Sequence, residues 1–230
     1  MIEIRGTTTL VGLLGWPTSH SLSPPMQNAA FAVLGLDWAY VPLPVEEGWV
    51  EDAIHGLVAL GFAGANVTSP HKAEAARLCG SGGLDSVNTL IVREGRVEGI
   101  STDAAILAEL PAERPAILGD GGAAAAFRAA LPHARVFSRR SDWPPHVAEM
   151  DLVVNATSER DEPLVAVTQG QTLIDLPYPE TATARSAREA GATVVTGLEV
   201  LVAQGAASFE LWTGMPAPVA VMRAAVGLRK

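Results

Sequence analysis

The stretch ILGDGGAAAAF, Ile117 to Phe127, decides the fold. A short apolar strand, Ala116 to Leu118, runs into Gly119-x-Gly121-x-x-Ala124, and the alanines that follow open a helix. Strand, glycine turn and helix in this order form the dinucleotide-binding fingerprint, here with alanine in the third glycine place. Gly119 permits the tight turn, and Gly121 lets backbone approach a pyrophosphate. The helix start, with Gly122 and Ala123 in its first turn, offers free N–H groups and positive dipole to the phosphates. The alanine run keeps that helix close to its sheet. A tight turn that binds nothing is the alternative.

Downstream, an NAD site would carry Asp or Glu about twenty residues after the first glycine, to hold the ribose 2′-hydroxyl. The chain has Ser138, Arg139 and Arg140 there. Arginine offers a rigid fork of donors that suits a 2′-phosphate, so NADP is the expected cofactor. A solvated basic turn is the alternative.

Outward in both directions the pattern alternates. Strands are expected at Leu10 to Leu14, Tyr40 to Leu43, Ala65 to Val67, Ala116 to Leu118, Arg135 to Phe137, Asp151 to Asn155, Leu173 to Asp175 and Thr193 to Val195. Helices are expected from Ser23, as N-cap with Pro24 first and Gly35 as the stop, over Trp49 to Leu60, and from Pro70 to Leu78. Gly122 to Leu131, Leu198 to Trp212 and Ala217 to Val226 complete the helices. Val87 to Val92 and Val97 to Ile100 flank Glu94-Gly95 and read as a hairpin. Alternation of this kind predicts an α/β protein with parallel sheets.

The composition of the 230 residues, 48% hydrophobic and 18% charged, is that of an ordinary globular protein. No apolar run is long enough to span a bilayer, so no membrane partner is expected. The N-terminus lacks the apolar core of a signal peptide, and Cys79 is the single cysteine, which points to the cytoplasm. A net charge of −9 repels phosphate backbones and argues against nucleic acid. His20 and His71 have no companions at metal-ligand spacing, so no metal is expected.

Four polar clusters precede the fingerprint: His20 to Ser23, Asn66 to Lys72, Ser86 to Thr89, and Ser101 to Asp103. Each falls at a strand end or loop, where open α/β sheets bind ligands. Their hydroxyls, amides, one Lys and one Asp suit an oxygen-rich small molecule. The order SxS, NVTxPHK, VNT, TD, GxGGA, NAT and a late Gln before ELWTG resembles the shikimate dehydrogenase family, from Gly12 to about Arg223.

That resemblance implies a mixed α/β substrate domain, residues 1–103 completed by C-terminal helices at 198–230, and a Rossmann-type NADP domain at 104–197, with the active site in the cleft between. It implies an enzyme that transfers hydride between NADP and shikimate, a small ring carboxylate, as a monomer or homodimer. Lys72 and Asp103 match the family's catalytic pair, Lys72 moving the hydroxyl proton and Asp103 orienting it. Asp103 could instead cap a following helix. Ser21 and Ser23 match holders of the substrate carboxylate, with Tyr178 as a possible third donor; Ser23 could serve only as a cap. Asn66, Asn88 and Gln204 match contacts to ring hydroxyls, with Thr68 beside them, the alternative being buried structural amides. Ala156, Thr157 and Gly197 fall on the cofactor side.

The chain also departs from the family pattern. Ser158 to Asp161 follow Asn155-Ala156-Thr157 where a Gly-Met pair is usual, Glu199-Val200 replace another, and Asp120 puts a carboxylate into the pyrophosphate loop. A quinate or other ring-acid dehydrogenase, or a ring-acid binding protein that no longer transfers hydride, stay open as alternatives.

Overall fold

The computed structural model describes residues 3–110 and 112–228. These fall into two compact units, one running to Thr102 and resuming at Val202, the other Asp103–Leu201.

The first unit holds a five-stranded sheet. Its strands are β1 (Thr9–Gly15), β2 (Trp38–Pro44), β3 (Gly64–Val67), β4 (Thr89–Arg93) and β5 (Arg96–Ile100), in the order β2-β1-β3-β4-β5. β1 runs parallel to β2 and β3, and β4 is antiparallel to β3 and β5. The sheet is therefore mixed, because Glu94 and Gly95 both adopt positive φ, 50° and 74°, and close a two-residue hairpin whose twist matches its strands. Helices α1 (Ser23–Val33), α2 (Val50–Ala59) and α3 (Lys72–Leu78) connect the strands. One core gathers Leu14, Ile54, Leu57, Val67 and Leu90. Phe31 of α1 stacks on Phe209 at 5.3 Å between ring centroids.

The second unit holds a fully parallel sheet of β6 (Pro115–Leu118), β7 (Arg135–Phe137), β8 (Leu152–Asn155), β9 (Thr172–Asp175) and β10 (Thr193–Thr196), in the order β10-β9-β8-β6-β7. β6 and β8 are buried along their whole length, as strands covered on both faces must be. Helix α4 (Gly122–Ala130) packs Ala124 and Phe127 against one face. Helix α5 (Ala182–Glu189) packs Ala184 and Ala187 against a second core with Val153 and Leu173. A 3₁₀ turn at Ala105–Glu109 precedes the sheet, while α6 (Gly197–Thr213) and α7 (Val219–Ala225) follow it.

Several local expectations are corrected. Ser23 is the first helical residue and Leu22 the cap, without a side-chain cap bond; Pro24 fits one position further in. Pro70 lies in a turn closed by His71 N–H on the Thr68 carbonyl at 3.0 Å, so α3 starts at Lys72. β4 starts at Thr89, because Val87 N–H is spent on the Lys72 carbonyl at 3.2 Å.

In both sheets the strand order reverses beside the first strand. In the first unit the reversal lies between β1 and β3, and in the second between β6 and β8. Ligands of open α/β sheets bind beyond the carboxyl ends of strands at such reversals. Ser21 and Ser23 follow β1, and Thr68 and Lys72 follow β3. The glycine loop follows β6, and Ala156 and Thr157 follow β8.

Candidate active site

In the second unit, the loops after β6, β7 and β8 enclose a cleft of about 310 Å³. Gly119, Gly121, Ser138, Arg139, Arg140, Ala156 and Thr157 all line it, beside Asp120, Trp143 and Glu159. Gly119 has φ +110°, and a Cβ there would lie 3.0 Å from the Ala156 carbonyl, so glycine is required. Gly121 caps α4 with nothing within 4 Å of where a Cβ would point. That open space fronts the unpaired N–H groups of a nine-residue helix. Room for a pyrophosphate, donors to hold it and two guanidiniums beside it fit a phosphorylated dinucleotide.

The remaining cofactor candidates divide. Gly122 and Ala123 form the first turn of α4 but do not line the cleft. Gly197 is buried at the start of α6, where a Cβ would collide with the carbonyls of Leu176 and Pro177; its lack of a side chain has a packing reason. Ser138 is buried, its hydroxyl 3.1 Å from that of Ser141 and accepting from Arg140 N–H, so it shapes the turn that carries the arginines. Thr157 donates to Asn155 Oδ1 at 2.8 Å, and Asn155 donates to the buried Asp175 at 2.7 Å. Sequence reasoning missed Trp143, which stands under the Arg139 guanidinium at 5.9 Å.

In the first unit, the polar clusters converge on one hydrogen-bonded network. Burial pushes the Tyr40 phenol far above its usual range, with the Ser23 hydroxyl pulling the other way, so Tyr40 is a neutral donor. It donates to Asn66 Oδ1 at 2.9 Å. Asn66 Nδ2 lies within bonding distance of the Asn88 carbonyl and the hydroxyls of Thr89 and Ser208. Asn88 Oδ1 accepts from Thr102 N–H at 2.6 Å, and Asn88 Nδ2 donates to Gln204 Oε1 at 3.1 Å. Asn66 and Asn88 are buried, whereas Gln204 is half-buried. The network includes Thr89 and Thr102, which fall in the polar clusters of the sequence, and Tyr40 and Ser208, which the sequence did not single out.

The other candidates are placed as follows. Ser21 Oγ accepts from Ser23 N–H at 3.2 Å, tying the two hydroxyl residues into one turn. Thr68 is half-buried, and a Cβ on Gly15 would collide with its methyl group. Lys72 is half-buried at the start of α3. His71 is buried and bonds the Val45 carbonyl through Nε2 at 2.6 Å, which makes that nitrogen the donor. Asp103 and Tyr178, both half-buried, belong to the second unit. Burial raises the Tyr178 phenol, and Arg160 opposes it. No cluster of three or more His, Cys, Asp or Glu among the described residues could hold a metal ion, and no helix there is long and apolar enough to cross a membrane.

Comparison with known proteins gives this arrangement a context. The family profile for the shikimate dehydrogenase substrate binding domain matches residues 13–89, and that for the shikimate 5′-dehydrogenase C-terminal domain matches 197–226. A curated relative from Anaeromyxobacter sp. strain Fw109-5, named shikimate dehydrogenase (NADP(+)), is 42% identical, with 97% of each chain covered. A crystal structure of a shikimate dehydrogenase in complex with NADP+ superposes with a TM-score of 0.90 at 28% identity, covering 99% of this chain and 98% of that one. The shikimate 5-dehydrogenase of Thermus thermophilus, solved with NADP(H) and shikimate, gives a TM-score of 0.85 at 30% identity, covering 95% and 98%. With 42% identity to the Anaeromyxobacter relative sustained over nearly its full length, the chain belongs to the shikimate dehydrogenase family.

Proposed function

We propose that this chain is an NADP-dependent oxidoreductase that interconverts 3-dehydroshikimate and shikimate. The observation that carries the reading is the sharing of one cleft by the glycine loop and the Arg139–Arg140 pair, in a chain 42% identical to a relative named for that activity. The cleft fits NADP, which when bound supplies a two-electron hydride carrier. The side chains supply the rest. Gly121 and the α4 N-terminus hold the pyrophosphate, and Arg139 and Arg140 hold the 2′-phosphate.

In the substrate half, Ser21 and Ser23 donate hydroxyl hydrogens to the ring carboxylate without adding charge, with Tyr178 as the third donor. Thr68, Asn88 and Gln204 contact ring hydroxyls, since amides offer both donor and acceptor. Asn66, whose amide donates to the Asn88 carbonyl at 3.0 Å, fixes the backbone that carries Asn88. Lys72 takes the hydroxyl proton as the alcohol is oxidised and returns it to the carbonyl oxygen in reduction, and Asp103 orients it. The same reading places the protein in the cytoplasm as a monomer or homodimer.

The test follows reduced nicotinamide absorbance with shikimate and NADP, repeated with quinate and with NAD. Prompt reduction with the first pair supports the proposal; reduction only with quinate or only with NAD overturns it. Replacing the proton carrier, Lys72→Ala, should cut turnover about 10²-fold or more in a protein with unchanged circular dichroism. Near-normal turnover would remove Lys72 from the chemistry.

A further inference from the structure

The cofactor cleft contains two carboxylates as well as two guanidiniums. Arg140 Nη1 lies 3.5 Å from Asp120 Oδ2, and Arg139 Nη2 lies 3.5 Å from Glu159 Oε2. Asp120 stands between Gly119 and Gly121, inside the phosphate loop. Glu159 is fixed from the other side of the cleft: its Oε1 accepts from the N–H groups of Arg160 and Asp161 at 3.1 and 3.2 Å, which leaves Oε2 toward Arg139. The Asp161 and Arg160 N–H groups, with Arg139 adding to them and burial opposing, hold the Glu159 carboxyl below its usual range. Both ion pairs are loosely held, since the arginine side chains are 72% and 87% exposed.

We propose that Asp120 and Glu159 are specificity-determining residues that compete with the 2′-phosphate of NADP for Arg140 and Arg139, so that the cofactor binds by exchange of ion-pair partners. This rests on NADP being the cofactor. A 2′-phosphate that enters the cleft displaces two carboxylates from the guanidiniums, and those carboxylates remain nearby as like charges. NAD carries a 2′-hydroxyl there, which meets no such repulsion and can donate to a carboxylate. The acidic pair therefore narrows the preference that the arginines create. The uncharged isosteres Asn and Gln keep the shape of the loop and remove the competitor.

Calorimetric titration of the full chain with 2′,5′-ADP and with 5′-AMP reads this without turnover. Asp120→Asn and Glu159→Gln should each tighten 2′,5′-ADP binding about two- to five-fold, the range set by exposed ion pairs, and leave 5′-AMP binding unchanged or weaker. An unchanged ratio of the two affinities in both variants overturns the proposal. So does an equal weakening of both ligands, which would make the carboxylates direct contacts to the adenosine. Failure of the underlying cofactor reading has a different signature. There the wild-type protein binds 2′,5′-ADP no more tightly than 5′-AMP, and Arg139→Ala and Arg140→Ala change neither, which overturns both.

Discussion

Ser208 has no exposed surface, and its single hydroxyl serves four neighbours. It donates to the Gln204 carbonyl at 2.9 Å and lies 2.9 Å from Asn66 Nδ2, 2.8 Å from Thr89 Oγ1 and 3.2 Å from Thr102 Oγ1. One hydrogen and two lone pairs can serve three of these four contacts at a time, so the hydroxyl is fully used. Ser208→Ala removes the hub, so that Asn66 Nδ2 keeps only the Asn88 carbonyl and the Thr89 hydroxyl, and Thr89 exchanges its 2.8 Å contact for longer ones of 3.2 and 3.4 Å, in a buried place. The predicted cost is about 1–3 kcal/mol, read as a lower urea midpoint at unchanged slope. An unmoved midpoint would show that the remaining hydroxyls close the gap. Asn66 and Asn88 were visible in the sequence because amides in or beside apolar strands stand out, whereas Gln204, inside α6, was singled out only by the family resemblance. The bonding of the network was not visible, because Asn66 and Ser208 are 142 residues apart and only the fold pairs them. The one local signal was the placement of Ser208 four residues after Gln204, on the same helix face.

At the level of elements, legibility followed the strength of local chemistry. The β6–glycine–α4 unit could be read because Gly119 must take φ +110° and the helix must start where phosphate N–H donors are needed. The β4–β5 hairpin could be read from Glu94-Gly95 for the same reason. Helix α5 escaped notice, since it buries only Ala182, Thr183, Ala184 and Ala187 and shows no stripe of large apolar residues. Asp151 illustrates a tie between elements that no periodicity announces. Its carboxylate accepts from the N–H groups of Glu113 at 2.7 Å and Arg114 at 3.0 Å, joining the chain ahead of β8 to the chain ahead of β6. Burial pushes this carboxyl up, but the N–H groups of Glu113 and Arg114 outweigh it and the net displacement is downward. A depressed folded value means the contribution is full above the unfolded value, about pH 4, and fades as pH falls through the folded one. Asp151→Asn should therefore be less stable than wild type at neutral pH, with the gap closing below about pH 4 in urea unfolding at stepped pH. A gap that stays constant over that range would remove charge from the explanation.

For the whole molecule, the two units repeat one design: a parallel core strand, a reversal of strand order beside it, and functional loops beyond the strand ends. The alignment to the Anaeromyxobacter relative runs over 271 positions against 230 residues, so the design survives substantial gaps in this chain. A net charge of −9 gives neither an anionic ring acid nor a dinucleotide phosphate any long-range help, which leaves each to its own short-range donors. The proposed assignments divide those donors cleanly, Ser21 and Ser23 for one ligand and Arg139 and Arg140 for the other, so their effects on stability should separate. A ligand that binds only the folded state stabilises it by about 2.7 kcal/mol at a hundred times its dissociation constant. Wild-type protein should gain thermal stability from shikimate and from NADP, each added alone. Arg139→Ala with Arg140→Ala should lose most of the NADP gain and keep the shikimate gain; Ser21→Ala with Ser23→Ala should do the reverse. Loss of both gains in either double variant would mean that the residues support the folded state generally, whereas the crossed pattern is what two separately built binding surfaces require.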